Sequence, residues 1–192
     1  MHWCIQGLAN ATIPPGTNTT FLLGMNEPNN AHNCNLAPRA IAVAWATVLK
    51  LWAPTSILVS PATAGNGIPW LDAFFANCTE LYGPKGCQVQ HVAVHDYSCD
   101  APTTMAYLKS VHDRYKMPVW LTEFSCGDGA QGKPTSDQLA YMKAVIPLLD
   151  AADYVYRYAW MSARDGHGLR GLVTGTAPAA KLTSVGELYN SL

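Results

Sequence analysis

Residues 21–28 read Phe-Leu-Leu-Gly-Met-Asn-Glu-Pro, an apolar run that ends in a glutamate. A second run of the same kind, Val-Trp-Leu-Thr-Glu-Phe over residues 119–124, carries Glu123 near its end. Continuous apolar runs of this length are typical of parallel strands that are buried on both faces. Side chains at the carboxyl ends of such strands point into the ligand-binding face of β/α folds. Glu27 and Glu123 are therefore candidate functional carboxylates, although each taken alone would also fit a helix cap or a partner for an arginine.

Short apolar runs alternate with helical patterns along the whole chain. The predicted strands are 21–25, 56–60, 89–97, 118–124 and 154–161, with a stub at residues 2–5 as a further candidate. The predicted helices are 38–52, 70–78, 102–115, 135–149 and 184–190. This alternation predicts an α/β fold of βαβ units, in which right-handed crossovers place the carboxyl end of every parallel strand on one face.

Local signals define several helix ends. Asp100 is placed to be the N-cap of the third helix. Thr135 and Gln138 have the spacing of a capping box at the start of the fourth. Pro147 is expected to kink or shorten that fourth helix, because proline removes a backbone hydrogen bond.

Composition excludes several classes of function. Hydrophobic residues make up 49% of the 192 residues and charged residues 13%, and the formal net charge is −1. This balance excludes a disordered chain, and without a Lys/Arg cluster there is no basic field for nucleic acid or an anionic membrane. The longest apolar runs, such as residues 41–49, are too short to span a bilayer. We expect a monomer that has neither nucleic acid nor a membrane as a partner.

The six cysteines point to an oxidising compartment. Cys78 and Cys87 are the best candidate pair because they close a short loop that contains glycine and proline, with buried free thiols as the alternative. Cys99–Cys126 is a plausible second pair, since both cysteines follow neighbouring strands. N-x-S/T sequons begin at Asn10, Asn18 and Asn77. Together with the low charge, these features predict an extracellular glycoprotein. The first residues show no signal peptide, so we expect that an N-terminal part is missing.

The two candidate glutamates lie three predicted strands apart. In an open sheet, with strands ~4.8 Å from each other, Glu27 and Glu123 would be about 14 Å apart. In a closed eight-stranded barrel, three strands around the wall is nearly across the mouth, where two side chains can converge on one substrate. Two carboxylates about 5 Å apart suit glycoside hydrolysis with retention, in which one is the acid and then the base and the other is the nucleophile; a wider gap suits inversion.

The glutamate motifs resemble a known family of enzymes. Asn26-Glu27-Pro28 after an apolar strand resembles the signature of clan A glycoside hydrolases, and the closer match is glycoside hydrolase family 128. Six motifs carry this resemblance in order through nearly the whole chain: residues 22–29 (LLGMNEPN), 58–62 (LVSPA), 70–75 (WLDAFF), 92–97 (VAVHDY), 119–124 (VWLTEF) and 156–160 (YRYAW). The resemblance implies a (β/α)8 barrel of the TIM type and a retaining mechanism that uses no metal and no cofactor. It also implies β-glucan as the polysaccharide substrate, cut as an endo-β-1,3-glucanase.

The same resemblance assigns roles to single residues. Glu27 would be the acid/base, Glu123 the nucleophile, and Asn26 the residue that hydrogen-bonds the sugar 2-OH, an interaction that strengthens in the transition state. Trp160, at the end of the last long strand, would be a platform on which a sugar ring stacks. A core tryptophan is the alternative for Trp160.

Three further residues complete the predicted substrate site. His95 and Tyr97 share one face of their strand, because side chains alternate with a period of two. Tyr97 is placed to orient Glu123, and an aromatic residue that only fills the top of the barrel is the alternative. Trp3 ends the N-terminal stub and is expected to line a sugar subsite.

The strand count predicts an incomplete barrel. If Glu27 lies on strand four, the stub at residues 2–5 is strand three, and strands one and two are missing. Complete barrels typically need ~250 residues. We therefore expect residues 1–192 to form a single catalytic domain that is a partial, N-terminally truncated barrel. An inactive fragment of such a hydrolase and a non-catalytic β-glucan-binding protein remain the alternatives.

Other chemistries are not expected from these residues. His91 and His95 lie on one predicted strand, where ~3.3 Å per residue places them roughly 13 Å apart, too far to share a metal ion. The sequence has no C-x-x-C, no H-E-x-x-H and no G-x-S-x-G motif, which are the patterns typical of metal sites and of serine hydrolases.

Overall fold

A computed structural model describes residues 3–12, 19–128, 132–164 and 168–192 of the chain. The chain divides into two compact units, Met1–Val94 (unit 1) and His95–Leu192 (unit 2). Each unit is described by itself below.

Unit 1 alternates parallel strands with helices. β1 (Phe21–Leu23) pairs with β2 (Ile57–Val59), and β2 pairs with β3 (Val89–Asp96), in both cases in parallel. In chain order the elements are a 3₁₀ turn (Leu8–Asn10), β1 (Phe21–Leu23), α1 (Pro38–Leu51), β2 (Ile57–Val59), α2 (Ile68–Tyr82), a second 3₁₀ turn (Gly83–Lys85) and β3 (Val89–Asp96), whose last two residues belong to unit 2.

The core of unit 1 lies between its helices and its strands. Trp45 of α1 and Phe74 of α2 are fully buried, and their rings meet edge to face at 5.4 Å. The indole nitrogen of Trp45 donates to the carbonyl of Cys87 at 3.0 Å, so its one polar atom is satisfied. Burial of aromatic side chains of this size is a dominant stabilising contribution to a small unit.

Unit 2 continues the same alternation. β4 pairs in parallel with β5, with Val119 opposite Val155. After the end of β3, the elements are α3 (Ala101–Tyr115), β4 (Val119–Phe124), α4 (Thr135–Ala151), β5 (Val155–Trp160), an antiparallel pair of two-residue strands, β6 (Val173–Thr174) and β7 (Lys181–Leu182), and α5 (Ser184–Ser191). The parallel strands and their helices confirm the predicted α/β fold of the β/α-barrel type. The description of residues 1–192 as a single catalytic domain stays a prediction.

Two helix-end predictions have different outcomes. Asp100 is the N-cap of α3, because its side chain accepts from the backbone N–H of Thr103 at 2.9 Å. The predicted capping box at the start of α4 is wrong. Thr135 Oγ1 donates to the carbonyl of Leu169 at 3.1 Å, and the side chain of Gln138 binds the backbone of Cys126 instead of that of Thr135. Pro147 does not shorten α4, which continues to Ala151.

The predicted N-terminal strand is also wrong. Residues 3–5 form a bend rather than a strand, and His2 lies outside the described residues. This N-terminal segment nevertheless lies beside the residues that follow β1, because the carbonyl of Trp3 accepts from the backbone N–H of Asn26 at 3.1 Å. A single hydrogen bond of this kind does not make a ladder.

All six cysteines are paired. The structure confirms Cys78–Cys87 and Cys99–Cys126 and adds Cys4–Cys34. Each disulfide lies within one unit. Of the three sequon asparagines, Asn18 lies outside the described residues, and glycosylation stays a prediction. Among the residues that the structure describes, no helix has the length and apolarity to cross a membrane.

Candidate active site

Glu27 follows directly on the end of the β1 ladder. Asn26 forms a parallel bridge with Ala62, and the backbone N–H of Glu27 donates to the carbonyl of Ala62 at 2.8 Å. Glu27 then takes a left-handed backbone conformation, with φ of 41°. A non-glycine residue in that region is held there by its surroundings, and such positions concentrate at functional sites. The side chain of Glu27 is 4% exposed.

Gly24 allows the strand end to approach its neighbour. A Cβ at this position would lie 2.6 Å from the backbone nitrogen of Pro61, which is closer than any real side chain approaches. The backbone N–H of Gly24 donates to the carbonyl of Val59 at 3.1 Å, so the close approach keeps the ladder intact. Asn26 and Glu27 follow two and three residues later and depend on this contact for their position.

Two asparagine amides contact the carboxylate of Glu27. Asn30 Nδ2 donates to Glu27 Oε2 at 2.7 Å, and Asn33 Nδ2 donates to the same oxygen. Both asparagines are half-buried. The seven residues from Glu27 to Asn33 thus fold into a turn around the carboxylate.

This turn is anchored at three places in unit 1. The amide of Asn29 makes two hydrogen bonds with the backbone of Ala64, at 2.8 and 2.9 Å. The backbone N–H of Leu36 donates to the carbonyl of Pro28 at 2.8 Å. The Cys4–Cys34 disulfide fixes the residue that follows Asn33.

A backbone hydrogen bond joins Asn26 to Trp3, but the two residues differ in their exposure to solvent. Asn26 is 2% exposed, and its Oδ1 has no hydrogen-bond partner among the residues that the structure describes. A buried polar oxygen of this kind is costly unless a ligand or water satisfies it. Trp3, whose carbonyl accepts from Asn26, has an indole that is 61% exposed.

Glu123 lies near the end of β4. Two side chains contact one of its carboxylate oxygens, one from the end of β3 and one from the residue that follows β3. The hydroxyl of Tyr97 donates to Glu123 Oε2 at 2.6 Å. His95 Nδ1 lies 3.4 Å from the same oxygen, and His95 is fully buried. The structure therefore brings these three predicted site residues together within unit 2.

Arg170 lies near the ring of Tyr97. Its guanidinium carbon is 5.9 Å from the centre of the Tyr97 ring, within range of a cation–π interaction. Arg170 is 7% exposed and donates to the carbonyl of Gly127 at 2.6 Å. The arginine thus joins the ring of Tyr97 to the loop that follows Glu123.

The loops that follow β3 and β4 are tied to each other. The Cys99–Cys126 disulfide and an antiparallel bridge between Ser98 and Cys126 connect them. Gln138 of α4, which is fully buried, accepts from the backbone N–H of Cys126 at 2.9 Å and donates to its carbonyl at 2.8 Å. The position of the loop after Glu123 is therefore set by α4 as well as by the strand.

Trp160 ends β5 as predicted but is only 5% exposed. Its indole nitrogen donates to the carbonyl of Arg170 at 2.9 Å, and its ring meets that of Phe124 edge to face at 5.1 Å. These contacts are those of a packed tryptophan. A role as a sugar platform needs an exposed ring face and stays a prediction.

Sequence reasoning missed four residues of this arrangement: Asn30, Asn33, Gln138 and Arg170. The run of asparagines directly after Glu27 was the signal for the first two, because short amides after a strand end can turn back onto it. Gln138 was interpreted as a helix cap from local spacing. Arg170 comes from a distant segment, and no local pattern marks it.

The profile of the family described as "Glycosyl hydrolase catalytic core" matches residues 4–189. The chain belongs to the glycosyl hydrolase catalytic core family. Among curated proteins, it is 28% identical over 183 residues to alkali-sensitive linkage protein 1 of Schizosaccharomyces pombe, covering 91% of this chain and 33% of that protein. The chain thus spans about a third of that curated relative's length.

Solved structures of family 128 enzymes are similar to this glycosyl hydrolase core. An endo-β-1,3-glucanase from Pseudomonas viridiflava has a TM-score of 0.80 at 28% identity, over 100% of this chain and 78% of that one. An exo-β-1,3-glucanase from Cryptococcus neoformans has a TM-score of 0.78 at 26% identity, over 97% and 74%. An endo-β-1,3-glucanase from Amycolatopsis mediterranei, solved with laminarihexaose, has a TM-score of 0.76 at 27% identity, over 90% and 72%. These similarities confirm the resemblance to family 128 and the barrel-type fold.

Proposed function

We propose that this glycosyl hydrolase core cleaves β-1,3-glucan with retention of configuration, with Glu27 as the acid/base and Glu123 as the nucleophile. The observation that carries the proposal is the 2.6 Å hydrogen bond from the hydroxyl of Tyr97 to Glu123 Oε2. A phenol hydroxyl that donates to a carboxylate at this distance holds that carboxylate in a fixed orientation, and a nucleophilic carboxylate must be held with its attacking oxygen toward the reacting carbon.

The proposed reaction has two displacement steps. In the first, a carboxylate oxygen of Glu123 attacks the anomeric carbon while Glu27 gives its proton to the glycosidic oxygen, which leaves as an alcohol. In the second, Glu27 takes a proton from water, and the water oxygen displaces Glu123 from the anomeric carbon. Each step breaks one carbon–oxygen bond, forms another and inverts the anomeric carbon, so the two inversions together restore the original configuration.

Three residues around Glu123 and Glu27 support the two steps. Tyr97 and His95 both lie against Oε2 of Glu123, which favours its other oxygen as the one that attacks. Asn26 offers a buried Oδ1 that needs a donor, and the 2-OH of a glucose ring supplies one. In retaining glycosidases, hydrogen bonds to the 2-OH strengthen in the transition state and, together with distortion of the substrate, lower the activation barrier by several kcal/mol.

The exposed indole of Trp3 is the proposed sugar contact of unit 1. Its face is available to solvent, and its backbone is bound to Asn26. Aromatic faces suit the apolar faces of sugar rings. For Trp160, the proposed platform role requires that the packed ring expose one face when a sugar arrives.

We also propose that the chain cuts within the glucan chain, as an endo-acting enzyme, and that it acts outside the cell. The similar solved enzymes include both endo- and exo-acting β-1,3-glucanases. The endo assignment is the one that the resemblance to family 128 implies. The three disulfides are typical of an extracellular protein.

The test is hydrolysis of laminarin by the chain and by its Glu123→Gln variant. Removing the nucleophile should lower kcat by at least about 10³-fold. Glu80→Gln is the matched control. Glu80 is exposed, forms an ion pair with Arg39, and lies far in sequence from both Glu27 and Glu123. The anomeric configuration of the first product, followed by proton NMR, should be β, and early products should be long fragments rather than glucose.

Three outcomes would contradict the proposal. An unchanged rate in Glu123→Gln removes that residue as the nucleophile, and an α product removes retention. Binding of the chain to insoluble β-1,3-glucan with no release of reducing ends would favour the two alternatives, a non-catalytic binding protein or an inactive fragment, and the same assay on the full-length parent distinguishes them.

A further inference from the structure

Arg170 is a buried cation that the two displacement steps do not use. It is 7% exposed, and its carbonyl accepts from the indole nitrogen of Trp160 at 2.9 Å. The carbonyl of the preceding residue, Leu169, accepts from the hydroxyl of Thr135 at 3.1 Å. These two hydrogen bonds tie the backbone at Arg170 to the end of β5 and to the start of α4. Burying a guanidinium is costly unless its surroundings compensate, so the groups around it indicate what the arginine does.

The guanidinium of Arg170 binds the loop that follows Glu123. Its Nη1 donates to the carbonyl of Gly127 at 2.6 Å and to the hydroxyl of Ser125 at 3.3 Å. The backbone N–H of Gly127 in turn donates to the carbonyl of Tyr97 at 3.2 Å. The same loop residue thus contacts both the arginine and the backbone of Tyr97, so the arginine helps to fix the tyrosine relative to β4.

The guanidinium also lies over the ring of Tyr97, with its central carbon 5.9 Å from the ring centre. The hydroxyl of that ring donates to Glu123 Oε2 at 2.6 Å. A positive charge beside a phenol draws electron density from its oxygen, and groups joined in this way polarise one another in a buried site. The hydroxyl therefore becomes a stronger hydrogen-bond donor to the carboxylate.

An acidic neighbour does not remove this effect. Arg170 Nη2 lies 3.9 Å from Asp128 Oδ1, and the side chain of Asp128 is 60% exposed. Because solvent screens an exposed carboxylate strongly, this ion pair leaves the field of the guanidinium on the buried ring largely in place.

We infer that Arg170 is a positioning residue, which holds the ring of Tyr97 and through its charge strengthens the hydrogen bond from the Tyr97 hydroxyl to Glu123. The inference rests on the proposed role of Glu123 as the nucleophile. An attacking carboxylate must be aligned with the reacting carbon, and a misplacement of about 1 Å can cost about 10²-fold in rate. A stronger hydrogen bond on one oxygen limits the rotation of the whole carboxylate.

A double-mutant cycle on laminarihexaose separates this action from support of the fold. Arg170→Gln removes the charge, and Tyr97→Phe removes the hydroxyl but keeps the ring. Arg170→Gln alone should lower kcat by about tenfold with little change in KM, the size expected of a desolvated cation–π contact. In the Tyr97→Phe background, the same replacement should lower kcat by less than about twofold, because the hydrogen bond on which the charge acts is gone.

Two further variants complete the cycle. Arg170→Lys keeps the charge and should lower kcat by only about threefold. Arg39→Gln is the matched control, because Arg39 is exposed and forms a surface ion pair with Glu80, and it should leave kcat unchanged.

The cycle has outcomes that overturn the inference. Equal losses from Arg170→Gln with and without the Tyr97 hydroxyl would show that the arginine only maintains the fold, and an unchanged kcat would show that it has no role. A loss in Arg170→Lys as large as that in Arg170→Gln would show that the charge is not the cause. If Arg170→Gln does not fold, the cycle uses Arg170→Lys, whose smaller loss should also disappear in the Tyr97→Phe background.

A second measurement does not depend on turnover. The chain has four glutamates, Glu27, Glu80, Glu123 and Glu187. Labelling with ¹³Cδ-glutamate therefore gives four carboxyl resonances, which single Glu→Gln variants assign. At a fixed pH, Arg170→Gln should shift the Glu123 resonance and leave that of Glu80 in place, and the shift should be much smaller in the Tyr97→Phe background.

This spectroscopic cycle distinguishes failure of the inference from failure of the proposed function. An unmoved Glu123 resonance, or an equal shift in both backgrounds, contradicts the inference even in an inactive chain. Failure of the proposed function would show as an absence of hydrolysis by the unmodified chain.

Discussion

At the scale of single residues, the two glutamates obtain their hydrogen-bond donors in different ways. Glu27 is contacted by Asn30 and Asn33, which are three and six positions away, whereas Glu123 is contacted by Tyr97 from the preceding strand and its end. Tyr97 was predictable, because the period of two in a strand places it on the same face as His95. The asparagine contacts were not, since they depend on the path of a loop.

Buried His91 gives a prediction about stability against pH. It is 8% exposed and packs edge to face on Phe21 at 5.6 Å, and burial lowers its pKa below the usual value. The unfolded chain therefore binds more protons than the folded one as the pH falls below about 6.5. The free energy of unfolding should decrease from that pH downward, until the pKa of the folded state is reached.

Urea denaturation between pH 7.5 and pH 5 measures this effect, and His91→Gln should flatten that part of the curve. His32→Ala is the control, because His32 is exposed. A slope in His91→Gln equal to that of the unmodified chain would show that other groups cause the decrease.

At the scale of elements, sequence patterns predicted the five parallel strands and the five α-helices that the described part of the chain contains. The apolar runs marked β3 and β4 because these strands are largely buried, and a strand buried on both faces has little choice of residue. β5 differs, because most of its residues are exposed or half-buried. The errors lie where tertiary contacts overrule local ones. Gln138 bonds to the loop at Cys126 instead of capping α4, and β6 and β7 have only two residues each, too few to show a period.

Gly24 gives the prediction at this scale. A methyl group there would meet the backbone of Pro61, so Gly24→Ala must push β1 away from β2. We expect a loss of about 1–3 kcal/mol in the free energy of unfolding, and a larger proportional loss of hydrolysis because Asn26 and Glu27 follow at once. Chemical denaturation and laminarin hydrolysis measure the two effects.

Val43→Ala is a suitable control for the Gly24 variant, since Val43 is 54% exposed on α1. It should leave both stability and hydrolysis close to their original values. A Gly24→Ala chain of unchanged stability and activity would mean that β1 and β2 separate at no cost.

At the scale of the whole molecule, the disulfide pairing was predicted in part. Cys78–Cys87 and Cys99–Cys126 followed from short spacing and from strand order, whereas Cys4–Cys34 joins two irregular segments that no pattern relates. Every disulfide closes a loop inside one unit. Their contributions to stability should therefore follow the lengths of those loops.

The two disulfides of unit 1 permit a direct comparison. Cys4–Cys34 has a sequence separation of 30 and Cys78–Cys87 of 9. The loss of loop entropy in the unfolded chain then predicts that replacing Cys4 and Cys34 by alanine costs about 1 kcal/mol more than replacing Cys78 and Cys87. Denaturant unfolding of the two double variants tests this, and an equal or reversed order would contradict it.

The contrast between a local and a distributed environment has a consequence for how this enzyme family can change. Because Glu27, Asn30 and Asn33 lie within seven consecutive residues, that segment can be inherited, exchanged or transplanted between relatives as one block. The surroundings of Glu123 draw on Tyr97, Gln138 and Arg170, which lie in three separate stretches of the chain. We therefore expect substitutions around Glu123, the proposed nucleophile, to depend on one another more strongly than substitutions around Glu27, the proposed acid/base.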